Sequence, residues 1–217
     1  MSTAVVPTTT SRVLNSSLAN RIMSAEDAAA LIHNGHQVGM SGFTGSGYPK
    51  AVPMALARRI SDANLRGQKF QVSIFTGAST GPELDGALAM AGGIHLRLPY
   101  QSDPETRKRI NAGEMEYMDI HLSHVAQFVE YGFLGKLDLA LIEVTAVLED
   151  GRLVPSSSIG NNKTLDRAGR ARDHRGERVA ARGAGRHARH LLRPATAAQS
   201  RTDSLDVHRA AHRQPLP

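Results

Sequence analysis

The run from Asn34 to Pro49, reading Asn-Gly-His-Gln-Val-Gly-Met-Ser-Gly-Phe-Thr-Gly-Ser-Gly-Tyr-Pro, constrains this chain more than any other stretch. A short apolar segment, Val38 to Ser41, enters a loop punctuated by Gly42, Gly45 and Gly47 and then meets Pro49. That is the pattern of a buried strand running into a tight loop and on into a helix. Glycine reaches positive φ without penalty and lets a ligand or a second backbone approach closely, and Pro49 suits a first helical position. Such a loop holds backbone N–H groups against a ligand. The amides of the following helix start, from Lys50 onward, favour a phosphate, a carboxylate or a developing oxyanion. Gly42, Gly45 and Gly47 are therefore the candidate binding residues.

Two common glycine motifs fail here. A phosphate-binding P-loop needs Lys and Ser/Thr directly after its last glycine, whereas Gly47 is followed by Tyr48, Pro49 and Lys50. The dinucleotide fingerprint needs an acid about twenty residues on, at the end of the second strand. That strand, Phe70 to Phe75, runs into Thr76-Gly77-Ala78 instead.

The rest of the body alternates helices with short apolar strands. Ser24-Ala25-Glu26-Asp27 reads as a capping box opening a helix, and Pro49 predicts a helix with Val52, Leu56, Ala57 and Ile60 on one side. Pro82 starts another helix through Leu84, Leu88 and Ala91, Ile94–Leu98 is a strand, and Pro104 to Ala112 is a polar helix. Leu137 to Val144 is the strongest buried strand, followed by a turn at Glu149-Asp150-Gly151-Arg152. The alternation predicts an α/β fold with an open, largely parallel sheet covered by helices.

Several stretches, taken together, resemble the class I CoA-transferases and within them the acetyl-CoA hydrolase/CoA-transferase family. Asn34, Gly35, Gly42, Phe43, Gly47 and Pro49 fall on that family's first signature, with Ser41 at the first paired glycine and Gly39 inside the apolar triplet. Similar stretches follow in order: Thr76-Gly77-Ala78-Ser79-Thr80, Pro82-Glu83-Leu84-Asp85-Gly86, Arg97-Leu98-Pro99-Tyr100-Gln101-Ser102-Asp103-Pro104, His121-Leu122-Ser123-His124 and Pro155-Ser156-Ser157-Ser158-Ile159-Gly160-Asn161-Asn162. The resemblance implies the N-terminal domain of such an enzyme over residues 22–164, after a flexible terminus at 1–21. It places Gly42, Gly45 and Gly47 near the acyl-CoA site, with an acyl-CoA and a small carboxylate as partners and no metal or redox cofactor beyond the CoA thioester. In the family a glutamate attacks the thioester, giving an acyl-glutamyl anhydride and then an enzyme–CoA thioester, which an acceptor carboxylate or water resolves. That glutamate and most CoA-binding residues belong to the family's second half, so no catalytic residue is assigned among Glu83, Glu114 and Glu143. The expectation is a truncated chain, inactive alone, with a homodimer or a separately encoded second half as possible partners.

Composition changes sharply after Thr164. Residues 165–217 carry 12 arginines and no lysine against five acids, a net +7, while the preceding residues hold 14 basic and 15 acidic groups. All nine aromatics precede residue 165, and the tail has no isoleucine. Such a segment cannot bury enough apolar surface to offset its ordering entropy, so a disordered Arg/Ala/His-rich tail is expected. An out-of-frame origin accounts for it. Codons for Arg172 to Arg178 can be chosen that, read one base later, spell Val-Ile-Ile-Glu-Val-Asn, and the same offset turns Arg189-His190-Leu191-Leu192-Arg193 into Asp-Ile-Tyr-Tyr-Gly, both family-like. The competing reading is non-specific nucleic-acid binding through the arginines, although no aromatic is available there to stack on a base.

Other candidates have structural readings. His121 and His124 share a helix face without a third metal ligand, and His33 and His36 straddle a helix end. Ser156, Ser157 and Ser158 read as turn caps, Glu143 as a partnered acid in a strand, and Arg107-Lys108-Arg109 as a solvated helix face. The chain has no cysteine, and no apolar run approaches the ~20 residues that span a membrane. A cytoplasmic location is expected, with the Ser/Thr-rich first 24 residues leaving a mitochondrial one as the alternative.

Overall fold

The structure, a computed structural model, describes residues 12–19, 21–170, 179–182 and 189–194. After a short helix α1 (Ser16–Ala19) and a two-residue strand β1 (Ile22–Met23), the chain alternates as the sequence pattern predicts: α2 (Ala25–Ala30), β2 (Gln37–Gly39), α3 (Ala51–Leu65) and β3 (Val72–Phe75). A π-helical turn, Pro82–Gly86, leads into α4 (Ala87–Met90), then β4 (Ile94–Leu98), α5 (Pro104–Asn111) and β5 (Glu116–Tyr117). The remaining elements are α6 (Leu122–Tyr131), β6 (Leu139–Val147), β7 (Leu153–Pro155), α7 (Asn162–Arg170), β8 (Val179–Arg182) and β9 (Arg189–Pro194). No described helix is long and apolar enough to cross a membrane.

The sheet runs β1-β8-β9-β6-β2-β3-β4-β5, with β7 antiparallel beside the upper part of β6. From β6 through β2, β3 and β4 to β5 every pairing is parallel. Alternate strand residues serve opposite faces. Val72 and Ile74 join Val38, Leu139 and Leu141 against α2 and α3, whose Ala28, Val52, Leu56 and Ile60 are fully buried. Phe75, Leu98 and Ala140 point the other way, against Val125 and Val129 of α6 and Leu165 of α7. Covering both faces is what a parallel sheet of continuous apolar strands requires.

Local signals act where expected. Ser24 caps α2, its Oγ accepting from the Asp27 N–H at 3.0 Å. Asp103 does the same for α5 through Thr106 N–H at 2.9 Å, ahead of Pro104. Pro49 does not start α3: the cap is Lys50 and the first helical residue Ala51, so the proline orients the entry instead.

Residues 165–217 depart from expectation in two ways. The body does not stop at residue 164, because α7 continues to Arg170 and buries Leu165 completely in the core. Two tail segments predicted to be disordered are strands: β9 pairs antiparallel with β6 from Leu139 to Glu143, and β8 joins β9 to β1. Strand pairing uses main-chain groups, which a tail without aromatics possesses as fully as any other. The rest of the tail, including Arg172 to Arg178, lies outside the described residues.

Candidate functional site

In an open α/β sheet, ligands bind outside the carboxyl ends of the strands where the strand order reverses. Here that point lies between β2 and β6. From β2 the chain moves outward through β3, β4 and β5, then returns to place β6 on the other side of β2. The connection leaving β2 at this crevice is the glycine loop.

Its geometry comes from three kinds of constraint. Phe43 and Ser46 close a tight turn with reciprocal backbone hydrogen bonds of 2.8 and 3.1 Å. The turn takes its positive φ at Thr44 and Gly47, +42° and +64°, and not at Gly42 or Gly45. Gly42 is instead a close approach, since a Cβ there would lie 2.5 Å from that of Tyr48. Gly47 is both: a Cβ would meet Ser158 N at 2.7 Å and O at 2.9 Å. Gly45 faces open space, with nothing within 4 Å of an added Cβ.

Two other loops are tied to this one. Ser158 Oγ donates to Ser46 O at 2.8 Å, Ser46 Oγ to Ser157 Oγ at 2.8 Å, and Asn161 N–H to Ser41 Oγ at 2.7 Å. Asn161 Nδ2 continues to Thr76 O at 3.3 Å. A Cβ on Gly77 would fall 2.7 Å from Gly42 O, so the loop after β3 packs backbone to backbone on the glycine loop. Ser157 and Ser158 thus tether their loop to the glycine loop, a longer-range role than the turn capping expected from the sequence.

Charge is also placed here. Lys50 donates to Tyr48 O at 2.9 Å and to Glu143 Oε2 at 3.1 Å, and Ser156 Oγ donates to Glu143 Oε1 at 2.6 Å. Glu143 is buried within β6 and is held as a structural acid. The Lys50 ammonium lies 4.1 Å from the centre of the Tyr48 ring. Tyr48 donates its phenol to Glu83. Burial, with the Glu83 hydrogen bond and charge, pushes that phenol far above its ordinary value, so it stays a donor.

Beneath the loop after β3 lies the most deeply buried ion pair among the described residues. Arg97 on β4 and Asp85 in the π-helical turn are both fully buried, with Nε to Oδ1 at 2.7 Å and Nη2 to Oδ2 at 3.0 Å. The Thr80 N–H donates to Asp85 at 2.9 Å, and Arg97 also reaches Leu98 O and Ala78 O. This pair shapes the 78–80 loop, whose Ser79 Oγ lies 2.8 Å from Ser102 Oγ on the loop after β4. Both residues fall in the family-like stretches of the sequence, but their pairing was not foreseen. The available signal was an arginine inside the apolar strand Ile94–Leu98 and an acid twelve residues before it.

The remaining candidates fall elsewhere. His121 and His124 are exposed, their ring centres 5.4 Å apart, with His124 stacked on Phe128. His33 and His36 sit at the end of α2, where the His33 N–H donates to His36 Nδ1. Arg109 pairs with Glu114 at 2.7 Å and Arg107 reaches Ser102 O at 3.4 Å.

Comparison with known proteins agrees with this architecture. The sequence profile of the acetyl-CoA hydrolase/transferase N-terminal domain matches residues 7–170. A succinyl-CoA:acetate CoA-transferase of Clostridium kluyveri is 45% identical over 157 residues, covering 72% of this chain and 29% of the relative. A propanoyl-CoA:succinate CoA transferase of Escherichia coli is 43% identical over 142 residues, covering 65% and 29%. An acetyl-CoA hydrolase of Schizosaccharomyces pombe is 40% identical over 164 residues, covering 71% and 31%. The chain therefore spans less than a third of the length of these relatives. With the glycine loop, the switch-point crevice and the profile match over one continuous stretch, the chain belongs to the acetyl-CoA hydrolase/transferase family and carries its N-terminal domain.

Proposed function

We propose that this domain forms the glycine-loop wall of an acyl-CoA site in an acetyl-CoA hydrolase or acetate CoA-transferase, with Gly42, Gly45 and Gly47 against the thioester end of the ligand. The observation that carries this is the convergence of three backbone loops on the switch point, with Gly45 left open toward solvent. Backbone N–H groups there suit an oxyanion of acyl transfer. The relatives' activities supply the substrate class, an acyl-CoA with a small carboxylate or water as acceptor. They do not favour nucleic-acid binding.

The described carboxylates near the crevice are already engaged. Glu83 takes the Tyr48 phenol, and Glu143 is bound by Lys50 and Ser156. Glu114 lies away from the crevice, just before β5, where it pairs with Arg109. None is free to be the nucleophile, which this reading assigns to the family's second half. The 217-residue chain alone is therefore expected to contact acyl-CoA without turning it over.

Gly45→Ala separates ligand approach from backbone demand. Gly45 has neither a positive φ nor a neighbour that a Cβ would strike, so stability should stay within about 0.5 kcal/mol of wild type. Acetyl-CoA titrated into isotopically labelled chain should shift the amide resonances of residues 42–47 in wild type and shift them less in Gly45→Ala. Shifts confined to other regions would remove the glycine loop from the site.

A further inference from the structure

Tyr48 is the buried residue on which the glycine loop ends, and two glycines are fitted around it. A Cβ on Gly42 would lie 2.5 Å from the Tyr48 Cβ, and a Cβ on Gly81 would collide with the Tyr48 Oη. Neither position needs glycine for its backbone. Gly42 is not among the residues at positive φ, and Gly81, at φ −110° and ψ −175°, is in extended backbone that any residue adopts. Both are glycine for space. The loop after β2 therefore houses one end of this tyrosine and the loop after β3 the other.

The phenol spans the two loops and donates to Glu83. Glu83 is itself well anchored, because it lies in the π-helical turn, whose Leu84 and Asp85 N–H groups donate to Gly81 O at 3.1 and 3.0 Å. Asp85 in turn is bound by the fully buried Arg97. At the other end of the residue, the Tyr48 carbonyl accepts from Lys50, which also binds Glu143 of β6. The far side of the glycine loop is different. Thr44 and Gly45 are exposed, and their N–H groups donate to no described residue. Such donors keep a fixed direction only if the loop that carries them is held elsewhere.

We propose that Tyr48 and Glu83 are positioning residues: their hydrogen bond clamps the end of the glycine loop to the π-helical turn and fixes the direction in which the Thr44 and Gly45 N–H groups meet a ligand. The clamp needs a donor on residue 48 and an acceptor on residue 83, so a glutamine at 83 preserves it. Its effect on ligand binding rests on the acyl-CoA reading, whereas its effect on the loop does not.

The test uses the isotopically labelled 217-residue chain with Tyr48→Phe, Glu83→Ala, Glu83→Gln and the double variant Tyr48→Phe/Glu83→Ala. Amide exchange is followed at Phe43 and Ser46, whose reciprocal hydrogen bonds close the turn, and at Ser73, whose N–H donates to His36 O within the sheet. Acetyl-CoA affinity is read from the shifts of residues 42–47. Tyr48→Phe and Glu83→Ala should each quicken exchange at Phe43 and Ser46 relative to Ser73 by about fivefold or more, the worth of one hydrogen bond, and weaken acetyl-CoA by a similar factor. The double variant should be no worse than either single one. Glu83→Gln should stay within about twofold of wild type. A tyrosine that only fills space would leave Tyr48→Phe like wild type at the turn, and one that only stabilises the whole domain would quicken all three amides alike. Either result overturns the proposal, as does Glu83→Gln behaving like Glu83→Ala, or acetyl-CoA binding that Tyr48→Phe leaves unchanged. If acetyl-CoA shifts none of residues 42–47 in wild type, the acyl-CoA reading fails and the exchange rates alone decide the clamp.

Discussion

Arg97→Met should destabilise the domain by about 3–5 kcal/mol at neutral pH, because it leaves the fully buried Asp85 carboxylate without its cation. Methionine fills much of the arginine's volume, so the cost is electrostatic more than a cavity. Burial alone would push the Asp85 carboxyl up, but the Arg97 charge, with hydrogen bonds from Arg97 and Thr80, outweighs it and holds the group below its usual 3.8. With a folded value below the unfolded one, the wild-type pair contributes fully above 3.8, and that contribution is lost as pH falls through the folded value. In Arg97→Met burial is opposed only by the Thr80 hydrogen bond, so Asp85 is pushed up from its wild-type value and its penalty is relieved by acid. The stability gap between wild type and variant should therefore narrow from pH 7 to pH 4.5. Urea denaturation at both values measures it. A gap under about 1 kcal/mol at pH 7 would mean that water reaches the pair.

Gly47→Ala is the second large effect. Its φ of +64° costs a residue with a Cβ about 1–2 kcal/mol. Overlap with the backbone of Ser158 adds about 1–3 kcal/mol, since the groups struck are main-chain N and O and cannot rotate away. The serine loop has to move, which stretches its hydrogen bonds to Ser46 and Ser41. Thermal unfolding reports the loss, and hydrogen exchange at Asn161, whose N–H donates to Ser41, should quicken selectively. Equal behaviour of Gly47→Ala and Gly45→Ala would contradict the distinct roles given to these two glycines.

The contrast between those glycines marks how far the sequence carries. That a loop with special backbone demands follows the first central strand was legible from Val38 to Pro49. Which residue meets which demand was not, because Gly47 is defined by Ser158, more than a hundred positions away, and the left-handed turn falls partly on Thr44. Long apolar runs such as Leu139–Val147 announced their strands. Glu116–Tyr117 did not, since two residues carry no periodicity and form a strand only by pairing with Leu96 and Arg97. The π-helical turn at Pro82–Gly86 read as an ordinary helix start, because Pro82 and the apolar spacing after it signal a helix without signalling its register, and the long-range bonds of Asp85 to Arg97 are not visible in the local sequence. Likewise β8 and β9 arise from backbone pairing that composition does not encode.

In the proposed function this chain supplies the glycine-loop wall of an acyl-CoA site but not its nucleophile. Acetyl-CoA consumption by the purified 217-residue chain, followed with and without succinate, tests it most directly, with Glu143→Gln run beside wild type. No turnover above the buffer background is expected for either protein under either condition. Turnover by the wild type that is abolished in Glu143→Gln would contradict it, and would place the chemistry on β6 of this domain.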